Sequence, residues 1–262
     1  MTRLIGVVHL AGLPGSPRAI AFEDCVERAV ADARALELGG ADAIVIENFH
    51  DVPFRPGAVE AHTVAAMTAA TLAVRAAVSC ELGVNVLRND ATAALGIALA
   101  CGASFIRVNV HTGAMLTDQG IITGRADETL RLRRLLDAER IRIFADVFVK
   151  HAVPIGPVTL EDAVRDTVER GLADAVIVTG NTTGSAASPD DVVRVVEAAG
   201  VPVYVGSGVT ADNLAQFVPP ATGVIVGSWL KRNGMIANAV DAQRVEHVRS
   251  VLNARTPGPA GH

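Results

Sequence analysis

Polar and titratable side chains recur along this chain, each placed shortly after a short apolar run. Four of them have the chemistry of proton transfer or nucleophilic attack: His9, Glu47, Asp146 and Lys150. Histidine and carboxylate side chains act as general acids and bases near neutral pH, and a buried lysine can form a Schiff base with a carbonyl substrate. We predict these four as catalytic candidates, with an ion pair to Asp146 or plain surface exposure as the alternative for Lys150.

Five further side chains suit the binding and orientation of polar substrate groups: Asn85, Arg107, Asn109, His111 and Asp118. Alternation along the apolar run directs those at 107, 109 and 111 to one face. A buried Arg107 requires a carboxylate partner, because an unpaired charge in the interior is very costly. Glu47 and Asp146 are the candidates for that partner. The result is either a structural ion pair in the protein centre or a charged cage for an anionic or carbonyl substrate.

Glycine-rich turns in the second half of the sequence indicate an anion site. The residues predicted to bind a phosphate are Gly180, Gly206, Ser207, Gly208, Gly227 and Ser228. Glycines let backbone N–H groups approach an anion closely, and a short helix capped by Thr210 would add its dipole. Lys231 would contribute a point charge. The alternative is that these glycines only permit tight turns.

The carboxylates of Glu47, Asp90 and Asp146 are hard oxygen ligands of the kind that Mg²⁺ prefers. They follow different apolar runs, and no metal-ligand spacing is visible. The sequence also lacks the His-x-His and Cys-x-x-Cys spacings of zinc sites. Solvated or salt-bridged carboxylates are the alternative to a magnesium site, and no metal ligand is assigned.

These residues need a scaffold that brings the ends of many strands together. Eight short apolar runs lie at 4–8, 43–46, 83–86, 105–110, 141–147, 174–178, 203–205 and 223–226. Helical stretches lie near 23–39, 58–79, 91–101, 126–139, 160–171, 189–199, 210–216 and 240–253. This alternation predicts βαβ units and a parallel sheet, and eight units in about 250 residues predict a TIM, or (β/α)8, barrel. A doubly wound open sheet is the rival, although no Gly-x-Gly-x-x-Gly follows the first run.

In a barrel the loops after the strands form the active face, which is where these polar residues gather. The connections are short except residues 111–125, which carry three glycines and several polar side chains. We predict this segment to be a loop that covers the barrel mouth as a lid, with a role in subunit packing as the alternative. Two junctions, ADAIVI at 41–46 and ADAVIV at 173–178, are alike, as half-barrel duplication would produce, but the match is short.

The composition agrees with one α/β domain. The chain has 262 residues, of which 50% are hydrophobic and only 3% aromatic. Ala, Val, Leu and Ile must therefore build the core, as in a parallel sheet wrapped in helices. We predict a single barrel domain over residues 1–255 and a disordered tail at 256–262, with the sequence TPGPAGH.

Charge and segment pattern exclude several classes of protein. A formal net charge of −5 disfavours a general nucleic-acid binder. Because no apolar run reaches roughly 18 residues, we expect no membrane insertion, and the first residues become polar too soon for a signal peptide. Three scattered cysteines indicate reduced thiols in a cytoplasmic protein. Apolar outer helices and Trp229 favour a homo-oligomer.

Several stretches, in order along nearly the whole chain, resemble the BtpA family. They are IGVVHLAGLPG at 5–15, ENFHDVPF at 47–54, GVNVLRND at 83–90, FIRVNVHTG at 105–113, TDQGIITG at 117–124, ADVFVKHA at 145–152, ADAVIVTG at 173–180, VGSGVT at 205–210 and VGSWLK at 226–231. The resemblance implies a TIM barrel related to the ribulose-phosphate-binding group. The best-known role in that family is biogenesis or stabilisation of photosystem I in cyanobacteria, and no catalytic residue is carried over from it.

Two functions of different classes follow. The first is an enzyme that binds a phosphorylated small metabolite, such as a sugar phosphate, and acts as an isomerase or a lyase through proton transfer. The second is a non-catalytic assembly or stability factor, as the resemblance to a photosystem I biogenesis family implies. The number of polar residues expected to point inward favours the enzyme, although a fold alone does not determine function.

Overall fold

Eight parallel strands close into a barrel in the computed structural model, which describes residues 2–149, 151–180 and 187–255. The strands in these ranges are β1 (Arg3–His9), β2 (Ala43–Glu47), β3 (Glu81–Asn85), β4 (Phe105–Val108), β5 (Ala114–Thr117), β6 (Gly120–Thr123), β7 (Arg142–Val147), β8 (Ala152–Pro154), β9 (Ala175–Val178), β10 (Val203–Val205) and β11 (Gly223–Val226). The barrel order is β1-β2-β3-β4-β7-β9-β10-β11, and β11 pairs with β1. The predicted (β/α)8 barrel is confirmed.

Helices cover the outside of the barrel. They are α1 (Phe22–Leu38), α2 (Ala61–Ala77), α3 (Ala91–Cys101), α4 (Ala126–Leu135), α5 (Leu160–Arg165), α6 (Pro189–Ala199) and α7 (Ala242–Arg255), and α5 continues into a π-helical turn, Asp166–Arg170. Within the described ranges, none of these helices combines the length and apolar character that crossing a membrane requires. The predicted tail at 256–262 lies outside the described residues.

The helix expected at 210–216 is reduced to a single 3-10 turn, Leu214–Gln216. Asn213 and Thr210 cap each other through side chain to backbone hydrogen bonds of 2.8 Å and 3.2 Å, a reciprocal arrangement that starts a helical turn. Two consecutive prolines at 219 and 220 then prevent a continuation, since proline lacks the N–H that a helix needs. The prediction of a helix here is wrong.

Aliphatic side chains build the layer between strands and helices, as the composition predicts, but the barrel centre holds an aromatic stack. Phe105, Phe144 and Tyr204 stack in sequence, with ring centroids 4.6 Å and 5.1 Å apart. A Cβ atom on Gly83 would lie 2.2 Å from the Phe105 ring, so glycine at this position leaves the room that the ring fills. Three of the nine aromatic residues thus fill the barrel centre below the mouth.

Two aspartates at the start of strands fix the register of their neighbours. Asp42, before β2, accepts the backbone N–H of Leu4 at 2.7 Å. Asp174, before β9, accepts the backbone N–H of Ile143 at 2.8 Å. Each also pairs with an arginine from an outer helix. The likeness of the two junctions in the sequence therefore has a structural cause, because each aspartate holds the beginning of the adjacent strand.

Residues 111–125 are not the open loop that the sequence predicts. Strands β5 and β6 form an antiparallel hairpin around a turn at Asp118 and Gln119, and β8 adds a third strand. Met115 and Ile122 are cross-strand partners and pack inward against Val110 and Val149. Alternation of apolar side chains in AMLT and GIIT, with Gly120 at φ +98°, is the hairpin signal that the length of the segment obscured.

Candidate functional site

The inward-facing residues at the carboxyl ends of the first three strands stand side by side. His9 pairs in register with Glu47, and Glu47 pairs with Asn85. Because residues at the same level of adjacent parallel strands point to the same face, their side chains form one arc of the mouth. Glu47 and Asn85 are buried, with 4% and 1% of their surface exposed. The alternation in the sequence predicted this placement correctly.

Arg107 lies on β4, the barrel strand next to β3, where it is buried and held by Asp146. Its Nε and Nη2 donate to the two carboxylate oxygens of Asp146, each at 3.0 Å. Asn109 donates a further hydrogen bond of 2.8 Å to the same carboxylate. Burial acts to lower the pKa of Arg107, but the charge and hydrogen bonds of Asp146 outweigh it and raise that pKa. Of the two carboxylates considered for Arg107, the structure selects Asp146.

Asn85 connects the arc to this ion pair. Its amide nitrogen donates to the carbonyl oxygen of Arg107 at 2.9 Å and to the Asn109 side chain at 3.2 Å. Its amide oxygen is buried and has no hydrogen-bond partner in the described part of the chain. A buried acceptor without a partner is unfavourable, so this oxygen is a group that a bound ligand could satisfy.

His9 and Glu47 form a buried pair. The His9 Nε2 atom lies 3.3 Å from a Glu47 carboxylate oxygen, and the two side chains are 5% and 6% exposed. The Phe49 ring packs edge-on against the imidazole, with centroids 4.7 Å apart. An imidazole and a carboxylate at this distance can exchange a proton, which is the arrangement that acid–base catalysis requires.

Both glycine turns reach the same small cavity of about 220 Å³, called the glycine cavity. The residues that line it include His9, Glu47, Phe49, Arg107, Gly206, Ser207, Gly208, Gly227 and Ser228. The turns approach the functional side chains closely. A Cβ atom on Gly227 would lie 2.8 Å from Cε1 of His9, and one on Gly206 would lie 3.6 Å from Nη2 of Arg107.

The glycine turn at residues 206–208 is bonded to the barrel on one side, and on the side of the cavity it has N–H groups without an acceptor in the described part of the chain. Gly206 donates its N–H to Val178 at 2.8 Å, in continuation of the sheet. Asn213 donates to the Gly208 carbonyl at 2.8 Å and fixes the turn from behind. The N–H groups of Gly208 and Val209 have no acceptor among the described residues, and both residues line the glycine cavity.

A second cavity of about 500 Å³, called the polar cavity, opens beside the first and shares Glu47, Phe49 and Arg107 with it. Its other lining residues include Asn85, Arg88, Asn109, Asp118, His151 and the apolar Val52 and Phe54. Asp118 reaches it from the tip of the β5–β6 hairpin. The hairpin therefore contributes a wall to the mouth, where the sequence predicts a loop that covers it as a lid.

Arg88 and Phe49 are site residues that the alternation did not identify. Arg88 is buried, with 4% of its surface exposed. Burial lowers the pKa of Arg88, while the carboxylates of Asp146 and Asp118 act in the opposite direction. Both residues follow the ends of strands, where the period-two rule no longer tells which way a side chain points.

His111 lies outside both cavities, so the expectation that it faces the mouth is wrong. Strand β4 ends at Val108, and the alternation predicted for residues 105–110 stops there. The His111 Nε2 atom lies 2.7 Å from the carbonyl oxygen of Gly171, to which it donates. Burial lowers the pKa of His111, although the hydrogen bond to Gly171 acts in the opposite direction. This histidine joins the barrel to the segment after α5.

Lys231 does not reach the glycine turns, although the sequence suggested it as a charge for the phosphate. Its Nζ forms a buried ion pair with Asp32 of α1. The other oxygen of Asp32 accepts the N–H of Val240 at 2.7 Å. Lys231 therefore ties the segment after β11 to α1.

Two predicted site residues lie in or next to a gap in the described part of the chain. Lys150 lies outside the described residues, as do residues 181–186. Gly180, which directly precedes that gap, is buried and is not among the residues that line the glycine cavity.

The carboxylates considered for magnesium do not converge. In the described ranges, no three His, Cys, Asp or Glu side chains gather into a metal-binding group. Asp90 accepts the backbone N–H groups of Ala93 and Val59 at 2.9 Å and 2.8 Å. Asp146 and Glu47 pair with Arg107 and His9 instead. Each of the three carboxylates thus has a partner of its own.

Comparison with known proteins supplies a family and a fold. The model of the BtpA family matches residues 1–254. The chain is 50% identical to the photosystem I biogenesis protein BtpA of Synechocystis sp., over 92% of this chain and 85% of that protein. It is 51% identical to an uncharacterized protein of Thermococcus kodakarensis, over 92% and 91% of the two chains.

A solved structure of thiamine phosphate pyrophosphorylase from Pyrococcus furiosus is similar over 98% of both chains, with a TM-score of 0.62 and 16% sequence identity. At this level of identity the likeness concerns the fold. That shared fold is the TIM barrel.

Proposed function

This chain belongs to the BtpA family, and we propose that it is an enzyme that binds a phosphorylated small metabolite in the barrel mouth. One observation carries the proposal: a single cavity is lined by both glycine turns and by His9, Glu47 and Arg107. A phosphate held by the turns would place the rest of the metabolite against these three side chains. The similar pyrophosphorylase is named for thiamine phosphate, which is a phosphate ester. A barrel of the same fold is thus named for a compound of the class proposed here.

The phosphate would be held by backbone amides. The N–H groups of Gly208 and Val209 are available on one side, and the turn at Gly227 and Ser228 lies on the other. Each turn leads only into a 3-10 turn of three residues, so a helix dipole contributes little. Oriented N–H groups in a glycine-containing turn form an anion-binding concavity without it.

Glu47 would be the base and His9 its partner in proton transfer. Glu47 lines both cavities, so it meets a metabolite that extends from the glycine cavity into the polar cavity. It would take a proton from a carbon next to a carbonyl group. Arg107, which is also shared by the two cavities, would stabilise the negative charge on the carbonyl oxygen. In a metabolite with a hydroxyl group on that carbon, Glu47 would return the proton to the former carbonyl carbon. His9 would move the hydroxyl proton to the former carbonyl oxygen, and the two transfers together complete an isomerisation.

Asp146 is a positioning residue in this proposal, in place of the catalytic role that the sequence suggested. Both of its oxygens are occupied by Arg107 and Asn109, and it lines neither the glycine cavity nor the polar cavity. A carboxylate in this arrangement orients Arg107 and neutralises its charge when no substrate is bound.

A thermal-shift screen tests the binding proposal. The protein is heated with phosphorylated metabolites and with their unphosphorylated counterparts, each with and without Mg²⁺. A ligand at 100 times its Kd stabilises the native state by about 2.7 kcal/mol. We expect stabilisation by phosphorylated compounds only, and its loss in Ser228→Asp, whose added charge repels a phosphate. Two results would reject the proposal. One is equal stabilisation by phosphorylated and unphosphorylated compounds, and the other is equal stabilisation of Ser228→Asp and wild-type protein by the phosphorylated compounds.

An assembly role is the second candidate, because one surface favours it. Leu116 faces Ile121 and Val153 on neighbouring strands of the small antiparallel sheet, and the three are 54%, 62% and 64% exposed. A relative half identical to this chain is named for photosystem I biogenesis. If assembly is the function, Leu116→Lys and Ile121→Lys should abolish it while Glu47→Gln has no effect.

A further inference from the structure

A basic recess lies beside the mouth, between α1 and the segment that follows β11. It has a volume of about 510 Å³, and its lining includes, besides His9, four basic side chains from other segments: Arg18, Arg28, His50 and Lys231. These residues come from the segment after β1, from α1, from the segment after β2 and from the segment after β11. No pattern in the sequence brought them together, and the proposed reaction uses none of them.

The charge of the basic recess is positive. Asp32 is the one carboxylate among its described lining residues, and the ion pair with Lys231 cancels its charge. Arg18 and Arg28 are exposed and form no ion pair with any described residue. Burial lowers the pKa of His50, and the neighbouring charges of His9, Lys231 and Arg18 lower it further. Two uncompensated guanidinium groups thus face the same open space.

The basic recess adjoins the glycine cavity. His9 and Ile236 line both, and the segment after β11 contributes Gly227 and Ser228 to one and Lys231 to the other. The two spaces therefore meet at His9 and Ile236. The two spaces differ in their donors, because one offers backbone amides and the other offers guanidinium groups.

We propose that the basic recess binds a second phosphate-type anion. Arginine is the residue best suited to a phosphate, because its planar donors match two phosphate oxygens. The anion is either a second phosphate group of the same metabolite or a free phosphate or diphosphate. The first of these sources rests on the proposed function, whereas an anion site in the recess does not depend on it.

Titration calorimetry with inorganic pyrophosphate tests the site. The variants are Arg18→Gln/Arg28→Gln, which empties the basic recess of free charge, and Ser228→Asp, which blocks the glycine cavity. Arg34→Gln is the matched control, because Arg34 is an exposed arginine on the same helix that does not line the recess. We expect the double variant to bind pyrophosphate at the recess at least tenfold more weakly, while Arg34→Gln and Ser228→Asp keep that binding event.

Pyrophosphate binding that is unchanged in the double variant would overturn the proposal, and so would an equal loss in Arg34→Gln. Failure of the proposed function has a different signature, namely a Ser228→Asp variant that keeps every binding event of the wild type. A propane-1,3-diol bisphosphate probe then separates the two sources. If the probe loses binding both in Arg18→Gln/Arg28→Gln and in Ser228→Asp, one ligand bridges the recess and the glycine cavity. If the probe binds in two independent events, each lost in one variant only, the recess takes a free anion. Either result supports the anion site.

Discussion

At the scale of single residues, the buried ion pair of Arg107 and Asp146 decides whether the mouth is formed. Both side chains are withdrawn from water, with exposures of 4% and 0%. Removing one member of such a pair leaves an uncompensated charge and costs about 3–5 kcal/mol. We therefore expect Asp146→Ala to lower the free energy of unfolding by about that amount, measured by urea denaturation.

The control for this prediction is Glu139→Gln. Arg134 and Glu139 form an ion pair at 2.6 Å on the surface, where their side chains are 80% and 48% exposed. Surface pairs contribute about 0–1 kcal/mol. If Asp146→Ala were as mild as Glu139→Gln, the buried pair would not hold the site together.

Gly227 gives a second prediction at this scale. A Cβ atom there would collide with the imidazole of His9, so Gly227→Ala should move His9 away from Glu47. We expect weaker ligand binding and at least tenfold lower activity, with little change in Tm. Gly57→Ala is the control, because nothing lies within 4 Å of its Cβ position. Activity equal to wild type in Gly227→Ala would show that the position of His9 is unimportant.

At the scale of elements, the aspartates before β2 and β9 hold the strand register. Asp174→Ala removes the acceptor for the Ile143 N–H and the partner of Arg133. Leaving such groups unsatisfied costs about 1–3 kcal/mol, and we expect this loss in chemical denaturation. Asp212→Ala, an exposed aspartate outside the strands, is the control. A loss below 0.5 kcal/mol, roughly the effect of an ordinary surface substitution, would contradict the role of Asp174.

The sequence predicted the orientation of side chains within strands well, but it predicted the ends of strands and the hairpin poorly. Period-two alternation placed Glu47, Asn85 and Arg107 inside the barrel, because strand geometry leaves a side chain only two faces. The same rule failed for His111, since the alternation does not show where a strand ends. The hairpin at β5 and β6 was missed because the length of the segment indicated an open loop, and its third strand, residues 152–154, comes only after the next barrel strand.

At the scale of the whole molecule, the pH dependence of stability follows from the lowered pKa values of His111 and His50. Burial lowers the pKa of His111 below the value of about 6.5 that it has in the unfolded chain. The unfolded state then binds the proton more readily, so the stabilisation is complete above about pH 6.5 and decreases as the pH falls toward the folded pKa. His50 has a pKa shifted in the same direction.

We expect the free energy of unfolding to fall between pH 7 and about pH 5, and to fall less in His111→Gln, which keeps an amide donor for Gly171 but has no titration in this range. Urea denaturation at a series of pH values measures this. An identical slope for wild type and His111→Gln would show that His111 titrates normally in the native state.

The parts of the site that the sequence could not reveal depend on contacts between distant segments. Lys231 was expected to bind the phosphate because it follows Ser228 closely, but it forms an ion pair with Asp32, which is 199 positions away in the sequence. The basic recess joins four segments of the chain. Spacing along a chain predicts which side chains share a strand, but not which loop arrives beside them.

The central claim is that Glu47 moves a proton on a phosphorylated metabolite. The most direct measurement is deuterium incorporation from D₂O into a metabolite identified by the thermal-shift screen, followed by proton NMR. We predict exchange at a carbon next to the carbonyl group with wild-type protein. In Glu47→Gln, exchange should be at least about 100-fold slower, at an unchanged Kd. Equal exchange rates in the two proteins, or no exchange by wild type saturated with the metabolite, would contradict the account.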